Sequence, residues 1–206
     1  MDIGIVGTGM IGGTLARLLI AAGHDVVIAN SRGPESLAGL VAELGPGATA
    51  ATAEEAARAG EVVIVAIPFG RFSDLPAAAL GGKVVVDAGN YYAARDGAFP
   101  DIDAGVTGSS EVVAAALPGA AVVKAFNTIW YGHLTEHATP PGTPGRRALP
   151  IAGDDAGAKA AVAALVDQIG FDTYDAGPLA AGRRLQPGSP VYNVRLSREE
   201  IATALA

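Results

Sequence analysis

The sequence predicts an α/β fold: a doubly wound parallel sheet followed by a small C-terminal α/β extension. Two observations support this class. Short apolar runs alternate with segments of helical periodicity along most of the chain, as expected when helices connect parallel strands. A glycine-rich turn with the spacing G-x-G-x-x-G joins the first apolar run to the first helical segment. The strand order expected for such a sheet is 3-2-1-4-5-6.

The N-terminal part of the chain predicts one βαβ unit of about 30 residues, the usual length of this motif. Asp2–Val6 is the first expected strand and His24–Ala29 the second, because both runs are short and largely apolar. Gly23 is expected to end the intervening helix. The apolar stripe of that helix comprises Ile11, Leu15, Leu18, Leu19 and Ala22.

The next segment predicts a second helix and a short edge strand. Pro34 is expected to be the first residue of the helix, and Gly45 to end it. Ala48–Ala50 is the candidate edge strand. Thr52 and Glu55 have the spacing of a capping box, which predicts a third helix.

Three further strands are expected in the middle of the chain. Glu61–Ile67 is a continuous apolar run that Pro68 ends, as expected for a strand covered on both faces. Lys83–Asp87 and Ala121–Phe126 follow, with a helix predicted at Ser110–Leu117 between them.

A Pro- and Gly-rich stretch, Thr139–Arg147, predicts a surface connection between two parts of the chain. We therefore expect a dinucleotide-binding domain at residues 1–138 and an extension packed on it at residues 148–206. The elements expected in the extension are a strand at Ala148–Ala152, a helix capped by Asp154 and ended by Gly170, a strand at Phe171–Tyr174, and a final helix capped by Ser197 and Glu200.

The composition limits the classes of function. Half of the 206 residues are hydrophobic, which indicates a globular chain, and no apolar run is long enough for a membrane span. The net charge of −7 argues against nucleic acid or an anionic membrane as the main partner. The absence of cysteine excludes disulfides, thiol catalysis and thiolate metal sites. A start without a basic leader predicts no secretory signal, so we expect a cytoplasmic protein.

The turn Gly7–Gly12 predicts a dinucleotide site. Gly7 permits the tight turn, Gly9 lets the backbone approach a pyrophosphate, and Gly12 lets helix and strand pack closely. The free N–H groups and the dipole at the start of the helix favour phosphate. An ordinary glycine-rich loop is the alternative in a chain with 28 glycines, but the strand–turn–helix context favours the dinucleotide.

Asn30, Ser31 and Arg32 predict NADP(H) rather than NAD(H). An acidic residue at the end of the second strand would bond the ribose 2′-hydroxyl and repel a 2′-phosphate, but Asn30 stands there. Ser31 can donate a hydrogen bond, and Arg32 can form a charge-assisted contact with phosphate. A solvated surface arginine is the alternative interpretation of Arg32.

Several longer segments resemble the NADPH-dependent deazaflavin (coenzyme F-420) reductases, also called coenzyme F-420-dependent NADP oxidoreductases. The resemblance extends over nearly the whole chain. The segments that carry it are Gly7–Gly12, Ser31-Arg32, Ile67-Pro68-Phe69, Leu149–Asp155 and Asp175–Leu179. It implies a Rossmann-type NADP-binding domain and hydride transfer between NADPH and a planar acceptor.

The resemblance also implies a path for the cofactor. Thr8, Gly9, Met10 and Ile11 would lie along the pyrophosphate and ribose, and Ser31 and Arg32 would hold the 2′-phosphate. Ile67, Pro68, Phe69, Ala88 and Gly89 would line the nicotinamide end. Two departures concern the acceptor side. Gln186–Pro190 interrupts an expected C-terminal helix, and Asn127 replaces a histidine common in the family.

Polar residues near the expected acceptor side have two interpretations each. Asn127 either orients the carboxamide or the acceptor, which makes it the candidate catalytic residue, or caps the strand end. Lys124 either reaches the cleft or extends to solvent. Four tyrosines either stack on a flat acceptor or pack in the core or at the rim: Tyr91, Tyr92, Tyr131 and Tyr192.

His133–His137 matches H-x-x-E-H, the inverted zinc-protease motif, in which two histidines share a helical face and a glutamate acts as base. The match is short, and the preceding segments already indicate a different site. We therefore expect no metal here and a solvated pair of histidines.

These observations predict an NADP(H)-dependent oxidoreductase that moves hydride between NADPH and a small-molecule acceptor, with deazaflavin coenzyme F-420 as the first candidate. A redox-sensing module that binds NADP(H) without turnover is the alternative of a different class. Because small members of the family tend to pair, a homodimer is also expected.

Overall fold

The computed structural model describes all 206 residues and contains one sheet of eight strands. The strands are β1 Asp2–Val6, β2 Asp25–Ala29, β3 Ala48–Ala50, β4 Val62–Val65, β5 Val84–Asp87, β6 Ala121–Lys124, β7 Ala148–Gly153 and β8 Asp172–Asp175. Their order across the sheet is β3-β2-β1-β4-β5-β6-β7-β8. The predicted doubly wound sheet is therefore confirmed.

The first six strands are parallel and have the expected order 3-2-1-4-5-6. Strand β7 then joins β6 in the antiparallel direction, through the pairs Val123–Gly153 and Lys124–Ala152. Strand β8 is parallel to β7. The predicted extension at residues 148–206 thus continues the same sheet. Thr139–Arg147, which contains neither helix nor strand, connects it to the first part of the chain.

Ten α-helices connect or flank the strands. They are α1 Met10–Ala21, α2 Ala38–Leu44, α3 Ala53–Ala59, α4 Ala77–Leu80, α5 Ala93–Asp96, α6 Pro100–Asp103, α7 Ser109–Ala116, α8 Tyr131–Glu136, α9 Ala156–Gln168 and α10 Arg198–Ala204. Three 3₁₀ helices occur at Pro34–Leu37, Phe69–Asp74 and Leu179–Leu185. No helix combines the length and apolar character that a bilayer crossing requires.

The central strands are buried on both faces because their side chains alternate between two hydrophobic clusters. In β4, Val62 and Ile64 belong to the larger cluster, which also contains residues of α1 and α9. Val63 and Val65 belong to the second cluster, which contains residues of α3, α4 and α7. This explains why β4 is a continuous apolar run in the sequence.

Two strands end earlier than expected. Strand β4 ends at Val65, because the chain turns out of the sheet before Pro68, which has no N–H group for a strand partner. Strand β6 ends at Lys124, and Phe126 has a left-handed backbone with φ of 63°. The predicted second helix also begins differently, because Pro34 opens a 3₁₀ turn and α2 follows it.

Both predicted capping boxes are present, at Thr52 with Glu55 and at Ser197 with Glu200. The predicted cap of helix α9 is wrong by one residue. Asp155, not Asp154, accepts the hydrogen bond from the Ala158 amide. The Asp154 carboxylate instead accepts from the Leu179 amide at 2.9 Å, a long-range contact that local spacing does not reveal.

We predict that Gly12→Ala destabilises the fold, by about 1–3 kcal/mol or more, because overpacking forces the backbone to shift. A Cβ atom at Gly12 would lie 1.9 Å from the Gly7 carbonyl oxygen. Gly39→Ala is the matched control, since Gly39 is also helical but nothing lies within 4 Å of its Cβ position. Alanine there should stabilise by about 0.5–1 kcal/mol. Urea unfolding measures both variants, and equal effects would refute the packing argument.

Candidate functional site

The three glycines of the turn between β1 and α1 differ in their surroundings. Gly7 has a φ of +104°, which a side chain would strain. A Cβ atom on Gly12 would collide with the Gly7 carbonyl, so this glycine allows α1 to pack against the turn. Nothing lies within 4 Å of a Cβ position on Gly9. The backbone at Gly9 is therefore open to a ligand, as its predicted role requires.

The N-terminus of α1 is free to receive an anion. The N-cap residue is Gly9, no side chain caps the helix, and its first turn contains no acidic residue. The first N–H groups of the 12-residue helix therefore have no intrahelical acceptor and no side-chain acceptor. Together with the helix dipole they form a phosphate-binding position beside the glycine turn.

Asn30 builds the turn that presents Ser31 and Arg32. Its Oδ1 accepts a hydrogen bond from the Arg32 backbone N–H at 2.8 Å, and its Nδ2 donates to Ser36 Oγ at 2.9 Å. Ser36 Oγ in turn donates to the Gly33 carbonyl. The Arg32 side chain is exposed and has no hydrogen bond or ion pair in the protein, so its guanidinium is available to a ligand.

A cavity of about 620 Å³ brings together most of the predicted cofactor residues. It lies where β1, β2 and β4 end at their carboxyl edges, the usual ligand position in open α/β sheets. The predicted residues that line it are Gly7, Thr8, Gly9, Asn30, Ser31, Arg32, Ile67 and Pro68. The other lining residues are Val6, Ala53, Ala66, Arg71, Asp74 and Leu75, which sequence reasoning did not single out.

The remaining predicted residues do not line this cavity. Met10 is exposed at the start of α1, and Ile11 and Gly12 follow it in the helix. Phe69 is only 3% exposed and packs in an aromatic cluster with Phe72 and Phe99. The remaining three lie farther along the sheet edge, after β5 and β6: Ala88, Gly89 and Asn127.

A buried polar cluster holds the ends of β5 and β6 together. Lys124 is only 1% exposed, so it neither lines the cavity nor reaches solvent. Its ammonium group donates to Ser110 Oγ at 2.9 Å and to the Gly89 carbonyl at 3.3 Å. Asp87 lies 3.9 Å from Lys124 Nζ and accepts from Ser110 Oγ. Burial lowers the pKa of Lys124, and the Asp87 carboxylate opposes that shift.

Asn127 connects the end of β6 to the C-terminal segment, which we define as Leu185–Asn193. Its side-chain amide donates to the Leu185 carbonyl at 2.7 Å and to Asn90 Oδ1 at 3.1 Å. Both amide hydrogens therefore serve contacts within the protein. The side chain is 3% exposed, and its Oδ1 has no hydrogen-bond partner. Asn127 thus links the end of β6 to two distant segments, rather than capping the backbone next to it.

Two further side-chain contacts hold the C-terminal segment in place. Gln186 Oε1 accepts from the Ser109 amide at 3.1 Å. The Tyr92 and Tyr192 hydroxyls lie 2.6 Å apart, and the Arg95 guanidinium stacks on the Tyr92 ring. Burial and the Tyr92 hydroxyl raise the pKa of Tyr192 to about 12, so Tyr192 is neutral at physiological pH.

His133, Glu136 and His137 lie together as the H-x-x-E-H motif requires, with one potential ligand atom of each within 4.8 Å of the others. The two imidazoles are stacked, with centroids 4.3 Å apart. Arg147 Nη1 lies 2.7 Å from His137 Nδ1. Since a guanidinium can only donate, Nδ1 of neutral His137 is an acceptor and Nε2 carries the proton. A protonated Nε2 and a neighbouring cation both disfavour metal binding.

The Arg147 side chain is 1% exposed and has no carboxylate partner. Burial and the nearby charge of Arg195 lower its pKa to about 10. It also donates to the Val194 carbonyl, just beyond the C-terminal segment. The sequence does not reveal this buried cation, because nothing local distinguishes it from the surface arginines.

The fold and the cavity define a class of protein, the doubly wound α/β oxidoreductases that hold NADP at the carboxyl ends of their strands. The family model for coenzyme F-420-dependent NADP oxidoreductases matches residues 2–91. The chain belongs to this family and is an NADP-dependent oxidoreductase.

Two solved structures match nearly the full length of the chain. A hypothetical protein from Sinorhizobium meliloti is 36% identical, with a TM-score of 0.81; the match covers 96% of this chain and 95% of that protein. A protein from Arthrobacter sp. FB24, described as an F-420-dependent NADP reductase, is 26% identical with a TM-score of 0.78, over 96% and 100% of the two chains.

More distant enzymes share the fold alone. A 3-hydroxyisobutyrate dehydrogenase from Mycobacterium tuberculosis is 18% identical with a TM-score of 0.63. The match covers 88% of this chain but only 56% of the dehydrogenase.

The histidine–arginine contact predicts a pH dependence of stability. Burial, followed by the charge of Arg147, lowers the pKa of His137 below its ordinary value of 6.5. The unfolded chain therefore binds more protons just below pH 6.5, and stability should fall as the pH decreases through that value. The slope contributed by one such group is at most about 1.4 kcal/mol per pH unit. Well above pH 6.5, where His137 is neutral in both the folded and the unfolded chain, it should contribute no slope.

Urea unfolding of the wild type and of His137→Gln between pH 5 and 8 would measure this contribution. Glutamine keeps an acceptor for Arg147 but does not titrate, so the variant should show a shallower loss below pH 6.5. Identical slopes for the two proteins would contradict the prediction.

Proposed function

We propose that the protein transfers hydride between NADPH and the deazaflavin coenzyme F-420. Two findings support this acceptor. The matching family is described by its dependence on coenzyme F-420, and the relative from Arthrobacter carries the same description. Because the family comprises oxidoreductases, it also favours an enzyme over a module that only senses NADP(H).

The cavity has groups suited to both phosphate positions of NADP(H), the pyrophosphate and the 2′-phosphate. The open backbone at Gly9 and the uncapped N-terminus of α1 would hold the pyrophosphate, with Thr8 beside them. The free guanidinium of Arg32 and the Ser31 hydroxyl would hold the 2′-phosphate. The turn formed by Asn30 carries these two residues.

The bound dinucleotide supplies the hydride, and the protein supplies binding, orientation and exclusion of water. Ile67 and Pro68 are the apolar lining residues at the end of β4 and would pack near the nicotinamide. No general acid or base is required for hydride transfer itself. Lys124 and Asn127 would act from behind the site, by holding Gly89 and the C-terminal segment in place.

The C-terminal segment would bound the acceptor side next to β5 and β6. It lies against three residues near these strands. Tyr92 follows β5, Ser109 begins α7 between β5 and β6, and Asn127 follows β6. Its sequence departs from the helical segment of the better-known family members. The shape of the acceptor pocket should therefore differ from theirs even if the cofactor site is the same.

We predict that Arg32→Ala lowers the affinity for NADPH about 10- to 100-fold, the effect of losing a hydrogen bond to a charged group. The affinity for NADH should change little, because NADH lacks the 2′-phosphate. Fluorescence titration of both nucleotides measures the ratio. An unchanged ratio of the two affinities would refute the role of Arg32.

We further predict that the purified protein oxidises NADPH with coenzyme F-420 as acceptor, with loss of the absorbance of both. Arg32→Ala should raise the KM for NADPH while leaving the KM for F-420 unchanged, because the two substrates occupy different parts of the site. FMN and a simple quinone are the comparison acceptors. Turnover with one of these but not with F-420 would retain the oxidoreductase and reject the proposed acceptor.

A further inference from the structure

A second arginine lines the cofactor cavity on a different segment from Arg32. Arg71 lies in the 3₁₀ helix Phe69–Asp74, which follows β4, whereas Arg32 follows β2. Because β2 and β4 flank β1 in the sheet, the two arginines approach the cavity from either side of the glycine turn. Asp74 and Leu75 line the same wall as Arg71.

The segment that carries Arg71 is anchored at both ends. Phe69 is 3% exposed and Leu75 is 7% exposed, and both belong to the second hydrophobic cluster. The Gly70 amide also donates to Asp96 Oδ1 at 3.1 Å. The backbone position of Arg71 is therefore determined by packing, although its side chain is exposed.

Asp74 contacts the Arg71 guanidinium only at its Nε atom. Arg71 Nε donates to Asp74 Oδ2, and neither Nη group has a hydrogen-bond partner in the protein. This pair is exposed, and exposed ion pairs of this kind contribute little to stability. The contact therefore orients the guanidinium and leaves its two Nη groups free for a planar, charge-assisted contact with phosphate.

The charge of the cofactor gives these groups a ligand. A 2′-phosphate carries a charge near −1.5 to −2 at pH 7. Arg32 supplies one positive charge in a protein whose net charge is −7, whereas the pyrophosphate has the N–H groups of α1. Arg32 alone therefore does not neutralise the full negative charge of the 2′-phosphate.

We propose that Arg71 is a second ligand of the 2′-phosphate and that Asp74 is a positioning residue for it. The proposal rests on NADP(H) occupying this cavity but is independent of the identity of the acceptor. The Asp74 carboxylate can lie near the phosphate only while Arg71 neutralises its charge. Without Arg71, its carboxylate would stand unpaired in the cavity and repel the phosphate.

Four variants test the proposal by titration with NADPH and NADH. Arg71→Ala should lower the affinity for NADPH about tenfold or more, the effect of losing about 1.4 kcal/mol, and leave NADH within about twofold. Arg71→Ala/Asp74→Ala should recover part of the loss, because the repelling carboxylate is removed as well. Asp74→Ala alone should have a smaller effect on NADPH than Arg71→Ala.

Arg58→Ala is the matched control. Arg58 is another exposed arginine paired with an acidic residue, Glu54, but it does not line the cavity. Its loss should leave both affinities unchanged. Thermal unfolding of each variant should show the wild-type midpoint within about 2 °C, since the substituted side chains are exposed.

Equal losses for NADPH and NADH would overturn the proposal, because they would place Arg71 at the base or the pyrophosphate. No loss in Arg71→Ala would overturn it as well, and no recovery in the double variant would remove the role of Asp74. If the wild type does not prefer NADPH over NADH, the NADP(H) site proposed above is wrong, whatever Arg71 does. Arg32→Ala in the same titrations distinguishes failure of that site from failure of the Arg71 proposal.

Discussion

The close contact between helix α1 and the turn before it is the constraint on which the site depends. Only hydrogen fits on Gly12, because its Cβ position is occupied by the Gly7 carbonyl oxygen. This contact sets α1 against the carboxyl end of β1, so that its uncapped N-terminus directly follows the open backbone at Gly9, which lines the cavity. Since β2 and β4 lie on either side of β1, the same placement brings two arginine-bearing loops to one cavity. An acidic protein thus concentrates positive charge where a polyanionic cofactor binds.

A second constraint acts on the neighbouring strands and concerns buried polar groups. An ammonium group removed from water is stabilised only when hydrogen bonds and a counter-charge replace its hydration. Lys124 meets this condition through Ser110, Gly89 and Asp87, and so fixes the ends of β5 and β6 relative to each other. The 3₁₀ helix Leu179–Leu185 packs directly on it, because a Cβ atom on Gly182 would lie 2.9 Å from Lys124 Cδ. The C-terminal part of the chain therefore rests on the same polar cluster that borders the predicted nicotinamide end.

The histidine motif has the spacing of a metal site, but a neighbouring charge disfavours metal binding there. His133, Glu136 and His137 have the spacing and the proximity of metal ligands. Arg147 joins the group from the end of the connection that precedes β7, and its donation to His137 Nδ1 leaves the imidazole proton on Nε2, the nitrogen that a metal would need. The geometry of the motif is present, but the neighbouring Arg147 charge and the protonated Nε2 of His137 disfavour a metal between the stacked imidazoles. Burial of His137, together with the Arg147 charge, explains why the stability of the protein should respond to pH near the ordinary pKa of histidine.

Much of the fold and the core of the site follow from local sequence patterns. Apolar periodicity predicts the strands and most helices, and two capping boxes predict helix starts. The glycine turn with Asn30-Ser31-Arg32 predicts six of the 14 residues that line the cavity. The contacts of Lys124 and Asn127, the position of Arg71 and Asp74 in the cavity wall, and the burial of Arg147 were decided only by the tertiary structure. Each depends on a partner far along the chain or on the wall of a cavity formed by several segments. Backbone conformation is encoded over a few neighbouring residues, whereas the burial and pairing of a polar side chain depend on what the complete fold places beside it.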